Sequence, residues 1–248
     1  MSFKGKVAIV TGSSSGIGAA VAMSLSAEGA SVVIVGRNEA KLAATKAKCA
    51  NALVVRADIT IDADARRIVQ QTIEKFGKID ILVNNAGNSI LASIFDENIM
   101  ESYDFTMNIN LRAVFRMTSL VVPHIIKTKG NIVMISSVTG RSTSFGAQAI
   151  SYAVSKAGLN HFGAYLAADL APHGVRVNVI SPGPVYTDLI ENSGYDGSYD
   201  VLKFHTALDS VSHPQEIADL VLMVANDKAK SITGSNLFCD NGWMIKRY

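Results

Sequence analysis

The stretch Val7-Ala8-Ile9-Val10-Thr11-Gly12-Ser13-Ser14-Ser15-Gly16-Ile17-Gly18 decides the fold. Its first four residues are apolar and β-prone. A glycine-rich turn follows and opens an alanine-rich helical pattern over Gly16–Glu28. Strand, glycine turn and helix in that order read as the first βαβ unit of a nucleotide-binding sheet. The glycines allow a tight turn, close backbone approach to phosphates and close strand–helix packing. The helix N-terminus adds about half a positive charge facing a pyrophosphate. The spacing Gly12-x-x-x-Gly16-x-Gly18 differs from G-x-G-x-x-G, so its position between a strand and a helix carries the reading.

The same alternation continues along the chain. Apolar β-rich runs fall at Val7–Val10, Ser31–Val35, Ala52–Arg56, Ile79–Val83, Asn131–Ile135, Val175–Ile180 and Asn236–Cys239. Helical patterns fall at Gly16–Glu28, Glu39–Ala50, Ile61–Phe76, Ile99–Thr128, Ser151–Pro172 and Pro214–Asn226. Continuous apolar strands separated by helices predict a parallel sheet covered on both faces. Right-handed crossovers make it a doubly wound α/β sheet of about seven strands, Rossmann-type. The expectation is a single NAD(P)-binding domain over 1–248. Within it, 188–213 is rich in turn formers and follows the break Ser181-Pro182-Gly183-Pro184, so it reads as a substrate lid.

Composition excludes several classes. Apolar residues make up 48% and charged ones 18%, which supports a large core. A formal charge of only +2, with no basic stripe, argues against nucleic-acid binding. Lys46-Ala47-Lys48 reads as a solvated helix face. No apolar run approaches the ~18 residues of a membrane helix. The N-terminus reads as a first strand rather than a signal peptide, and Lys246-Arg247-Tyr248 matches no address or lipidation signal. Cys49 and Cys239 read as free thiols in a reducing, cytoplasmic setting. The five histidines have no metal spacing, and Asp62-Ala63-Asp64 reads as a helix cap, so no metal is expected.

The end of the second strand bears on cofactor choice. A carboxylate there would hold the ribose hydroxyls of NAD. The chain instead has Val35-Gly36-Arg37-Asn38. Nothing at Gly36 repels a 2′-phosphate, and Arg37 can pair with one. NADP(H) is therefore preferred, with NAD(H) possible.

Tyr152 and Lys156 stand four residues apart in a helical pattern, so they share a face. A cation beside a phenol favours the phenolate, which a general base near neutral pH requires. Ser136-Ser137 lies upstream. Strand alternation leaves either serine open as the one facing substrate.

These residues together resemble the short-chain dehydrogenase/reductase family in its form of about 250 residues. The resemblance covers essentially the whole chain. It rests on the glycine turn, Asp58, Asn84-Asn85-Ala86-Gly87, Asn110, Ser137, Tyr152-x-x-x-Lys156 and Pro182-Gly183-Pro184-Val185-Tyr186-Thr187. It implies that Tyr152 exchanges the proton and that Lys156 lowers its pKa and holds the nicotinamide ribose. Ser137 would bond the substrate oxygen, and Asn110 would hold a water linking Lys156 to solvent.

The implied cofactor set is Gly12, Ser14, Ser15, Gly16, Ile17, Gly18, Arg37, Asn38, Asp58, Ile59, Asn85, Ala86, Gly87, Tyr152, Lys156, Pro182, Gly183, Val185 and Thr187. Ser137, Gln148, Tyr152, Tyr186 and Tyr195 are the candidate substrate contacts. Ser137 lies fifteen residues before Tyr152, about two more than the family pattern, which implies a longer loop.

The implied activity is interconversion of an alcohol and a carbonyl compound. Members of the family act on steroids, isoprenoid alcohols such as farnesol, retinoids, sugars and 3-oxoacyl thioesters. Aromatic residues and scarce charge in the lid favour a hydrophobic small molecule. A 3-oxoacyl thioester reductase is one alternative, and a non-catalytic redox sensor is another of a different class. Resemblance also implies a homotetramer or homodimer, with Ile99–Thr128 and Ser151–Pro172 pairing across one axis and the Trp243 region across another.

Overall fold

The computed structural model describes residues 2–143, 145–189 and 198–246. Seven parallel strands form one sheet: β1 (Val7–Thr11), β2 (Ser31–Gly36), β3 (Ala52–Arg56), β4 (Ile81–Asn84), β5 (Asn131–Ile135), β6 (Arg176–Pro182) and β7 (Asn236–Cys239). Their spatial order is β3-β2-β1-β4-β5-β6-β7. The helices are α1 (Gly16–Ala27), α2 (Glu39–Lys46), α3 (Asp62–Phe76), α4 (Ile99–Met107), α5 (Ala113–Thr128), α6 (Ile150–Leu170), α7 (Tyr199–Lys203) and α8 (Pro214–Ala225).

Side chains alternate along a strand, so each buried strand feeds two apolar layers. Val33, Ile9, Leu82, Ile132 and Val177 stand in register across five strands, and none is exposed. This row belongs to the core shared with α3, α5 and α6. Ala8, Val32, Ile81, Val133 and Ile180, on the other face of the same strands, feed the opposite core with α1 and α8. Burial of each such Val, Leu or Ile contributes about 1.5–3 kcal/mol.

Several boundaries differ from the sequence reading, each for a local reason. The expected helix over 99–128 is interrupted by a π-helical turn at Asn108–Arg112. The helix expected to reach Ala50 ends at Lys46, because Lys48 and Cys49 donate to carbonyls only three residues back. β4 starts at Ile81, since the Asp80 carboxylate takes the Val7 N–H at 2.8 Å. β6 runs through Pro182, and Gly183 N still donates to Cys239 O at 3.0 Å, so the expected break comes later. Asp62 and Asp64 lie in the first turn of α3, and Ile61 holds the cap position without a side-chain bond. Lys46, Ala47 and Lys48 are exposed as expected.

Strand order reverses direction between β1 and β4. The carboxyl ends of those strands therefore open a crevice, the place where doubly wound sheets bind ligands. No helix among the described residues is long and apolar enough to cross a membrane.

Candidate active site

Hydrogen bonds around Thr11 set the shape of the glycine turn. Its hydroxyl accepts from Asn85 N at 3.0 Å and Ala86 N at 3.1 Å. The Asn85 amide donates back to Thr11 O at 2.9 Å and Gly12 O at 3.2 Å. Ser13 Oγ donates to Val10 O and accepts from Val35 N, both at 2.8 Å, tying the turn to β2. Two glycines are required by close approach. A Cβ on Gly12, whose φ is +66°, would sit 2.7 Å from Ala86 Cα. One on Gly18 would sit 2.4 Å from Gly12 O.

Ser15 caps α1 in an extended conformation, and its side chain takes no capping bond. The first N–H groups of α1 therefore face the crevice without a side-chain acceptor, where a phosphate can take them. A cavity of about 330 Å³ runs from this turn to Tyr152. Arg37, Asp58 and Ile59 line its far end. Asp58 is held by Thr60 N and Thr60 Oγ1 at 2.9 and 2.7 Å, and its own N–H donates to Asp64 at 2.8 Å. Arg37 Nη1 lies 3.5 Å from the Asp58 carboxylate. Burial opposes that charge, but the bonds from Thr60 and the Arg37 guanidinium outweigh it and hold Asp58 below the usual carboxylate range. An open helix terminus, glycines that admit close approach, and a carboxylate and guanidinium at the far end fit a dinucleotide.

The chemical end is built by β5 and α6. Tyr152 lies in the first turns of α6, with Lys156 one turn on. Lys156 is 4% exposed; its Nζ donates to Ile135 O at 2.9 Å and lies 5.5 Å from the centre of the Tyr152 ring. Ser137 is hydrogen-bonded to the Tyr152 phenol and accepts from Thr139 N at 3.2 Å. Ser136 Oγ is instead turned to Lys156 O at 3.2 Å. The geometry thus places Ser137, and not Ser136, beside the Tyr152 phenol.

Burial dominates the electrostatics of this pair. It pushes the Tyr152 phenol up to about 12, against the Ser137 bond, and it pulls Lys156 down to about 8. A lysine four residues on predicts a lowered phenol, and burial reverses that expectation. Lys156 directs its donor to Ile135 O, and the protein's own groups leave Tyr152 protonated at neutral pH.

Asn110 sits at the π turn and is fully buried. Its Oδ1 accepts from Asn88 N at 2.9 Å, and its Nδ2 donates to Asn88 O at 2.9 Å and Ser155 Oγ at 3.0 Å. Both side-chain donors are thus engaged within the protein, so the Asn110 side chain fixes the wall after Gly87. π turns recur at functional sites for this kind of re-aiming.

Of the expected cofactor residues, Gly12, Ser14, Ser15, Gly16, Ile17, Arg37, Asp58, Ile59, Asn85, Ala86, Gly87, Tyr152, Lys156, Pro182, Gly183, Val185 and Thr187 line one cavity. Gly18 and Asn38 do not. Gly18 packs beneath the turn, and Asn38 caps α2 by accepting from Lys41 N at 3.0 Å. Gln148 is exposed and pairs through its carbonyl with Ala92 N, so it is not a wall residue. Tyr186 packs on Tyr199 and His213, with centroids 4.6 and 5.0 Å apart, and also lies off the cavity. Tyr195 lies outside the described residues.

Tyr199 is a buttress. Its hydroxyl accepts from Thr187 N at 2.9 Å and donates to Thr187 O at 2.7 Å. Phe204 is 71% exposed. Wall residues that the sequence reading missed include Asn88, Ser89, Leu91, Thr139, Phe145 and Leu189. Asp188 was also missed as a wall residue; it forms an ion pair with Lys41 of α2.

Comparison with known proteins agrees with this geometry. Residues 12–244 match a family model described as enoyl-(acyl carrier protein) reductase. The L-fucose dehydrogenase of Mus musculus is 33% identical over 97% of this chain and 89% of its own length. The 3-oxoacyl-(acyl-carrier-protein) reductase FabG of Escherichia coli is 35% identical over 98% of each. A cofactor-bound short-chain dehydrogenase/reductase of Caenorhabditis elegans superposes with a TM-score of 0.90 at 33% identity, covering 100% of this chain and 98% of that one. The chain belongs to the short-chain dehydrogenase/reductase family of oxidoreductases, which bind NAD(P) and small-molecule substrates.

Proposed function

We propose that this protein is an NADP(H)-dependent oxidoreductase that interconverts a hydrophobic alcohol and its carbonyl compound. The observation that carries the proposal is that Ser137, Tyr152 and Lys156 line one end of a cavity whose other part is lined by the glycine turn. The bound nicotinamide would supply or accept the hydride. In reduction, Ser137 and the Tyr152 phenol hold the carbonyl oxygen, and Tyr152 delivers its proton as negative charge develops there. The Lys156 ammonium stabilises the phenolate left behind. Leu91, Phe145, Val185 and Leu189 supply apolar wall around this point.

The assay is oxidation of NADPH, and separately of NADH, at 340 nm against ketones and aldehydes. Turnover that prefers NADPH is the expected result. Cofactor binding without turnover across the panel would move the reading to a redox sensor. Turnover confined to 3-oxoacyl thioesters would move it to a thioester reductase. Arg37 and Lys156 are the only cations among the described wall residues, which disfavours an acidic carrier partner.

Arg37→Ala is expected to raise the KM for NADPH about tenfold and leave that for NADH within twofold, because only the phosphorylated ribose can form the charge-assisted pair. A parallel rise for both cofactors would remove Arg37 as the discriminator.

The pH dependence follows from the two buried groups. Tyr152 keeps its proton through neutral pH, whereas Lys156 loses its charge above about 8. Reduction is therefore expected to be flat below that point and to fall above it. Lys156→Arg, whose charge persists, should move the falling limb upward if it folds. An unchanged limb would assign the titration elsewhere.

We also propose one domain over 1–248 with 188–213 as lid, and self-association through α5 and α6. Phe115 of α5 stacks on Phe162 of α6 with centroids 3.5 Å apart, and Phe115 remains 48% exposed and Tyr165 69%. Light scattering that gives a monomer mass at micromolar concentration would refute the homotetramer or homodimer.

A further inference from the structure

Phe145 lies in the longer loop between Ser137 and Tyr152 and shares a cavity wall with both. Apart from Tyr152, it is the only aromatic among the described wall residues. Its ring stacks on Trp243, with centroids 5.1 Å apart and planes 24° from parallel. Trp243 is 6% exposed and faces His205 of the lid at 5.5 Å on centroids. Val138, Leu202 of α7, Val211 and Trp243 form a small core of their own, with Phe145 packed against it. One indole thus joins the loop after the catalytic serine, the lid helix and the C-terminal turn.

We propose that Phe145 is the residue that sets the size of carbonyl compound accepted, and that Trp243 is a positioning residue that holds its ring in place. The inference rests on the carbonyl chemistry proposed above. Without the Phe145 ring, the cavity extends by the volume of a phenyl group and ends on the Trp243 indole, an apolar face suited to stacking. A substrate longer by one phenyl group then gains room and a stacking partner. A substrate that already fits gains neither. The cofactor walls are untouched.

The test compares acetophenone with 4-acetylbiphenyl in wild type, Phe145→Leu and Phe145→Ala. Trp243 is the only tryptophan in the chain, so its emission reports binding next to the site independently of turnover. The ratio of 4-acetylbiphenyl to acetophenone, read from kcat/KM and separately from dissociation constants by Trp243 quenching, is expected to rise at least tenfold in Phe145→Ala. This lies within the range that one side-chain-sized change in an apolar pocket produces. Phe145→Leu should fall between, and affinity for NADPH should not change.

Trp243→Leu is expected to raise the KM for acetophenone while leaving kcat and NADPH affinity in place. If that variant does not fold, Trp243→Phe, which keeps a ring at the stack, should preserve the wild-type ratio. A ratio within twofold of wild type in Phe145→Ala, or ketones that neither bind nor react with any variant, would overturn the proposal. A shifted binding ratio without NADPH oxidation would overturn the proposed activity and leave the role of Phe145 standing.

Discussion

Tyr152→Phe is expected to lower carbonyl reduction about 10³-fold while NADPH affinity stays within threefold of wild type. The substitution keeps the ring on α6 and removes one hydroxyl. That hydroxyl is the proposed proton donor and the partner of Ser137. General acid catalysis by a positioned side chain contributes about 10²–10⁴-fold, and no other described wall group beside Ser137 replaces it. Lys156 is another acid on the wall, but its Nζ is bonded to Ile135 O and lies 5.5 Å from the centre of the Tyr152 ring. Single-turnover NADPH oxidation and cofactor fluorescence titration measure the two quantities separately. A loss of tenfold or less would show that the proton comes from elsewhere, most directly from water held near Ser137.

Much of this site was legible because its chemistry depends on residue type at fixed spacing. Tyr152 and Lys156 meet because a helix brings positions four apart together. The glycine turn was legible because Gly12 and Gly18 occupy places where a Cβ would strike backbone. The sheet was legible because rows such as Val33, Ile9, Leu82, Ile132 and Val177 require apolar side chains on every strand.

What escaped depended on where side chains point. Tyr186 looked like a pocket residue because it stands beside Val185 and Thr187. In the bent segment after β6, Val185 and Thr187 line the cavity, whereas the Tyr186 ring turns to Tyr199 and His213. Gln148 stands in the turn before α6 with its side chain exposed, and its neighbour Ala149 supplies the wall. The π turn left no sign, because wider hydrogen bonding in a helix demands no particular residue. Phe145 and Trp243 are nearly a hundred residues apart, and only folding brings them together.

The role of Asn110 follows from that π turn and gives the other large expected effect. Asn110→Ala should destabilise the protein by about 2–4 kcal/mol, from the two Asn88 main-chain groups and the Ser155 hydroxyl that lose buried partners. For a chain of this size, each kcal/mol corresponds to about 2–4 °C in Tm. A fall of roughly 5–15 °C is therefore expected by thermal denaturation.

The activity loss should exceed what lost stability explains at 25 °C, because Gly87 lies between Asn110 and Lys156. A Cβ at Gly87 would sit 3.0 Å from Asn110 Oδ1 and 3.5 Å from Lys156 Nζ. Loosening Asn88 frees that wall to move against the ammonium. Asn110→Asp distinguishes the two contributions. It keeps an acceptor for Asn88 N but cannot donate to Asn88 O when ionised, so it should recover part of the stability and less of the turnover. Full recovery of both by Asp would mean that the Asn88 N–H bond alone matters, and the donor side of Asn110 would then have no part in shaping the site.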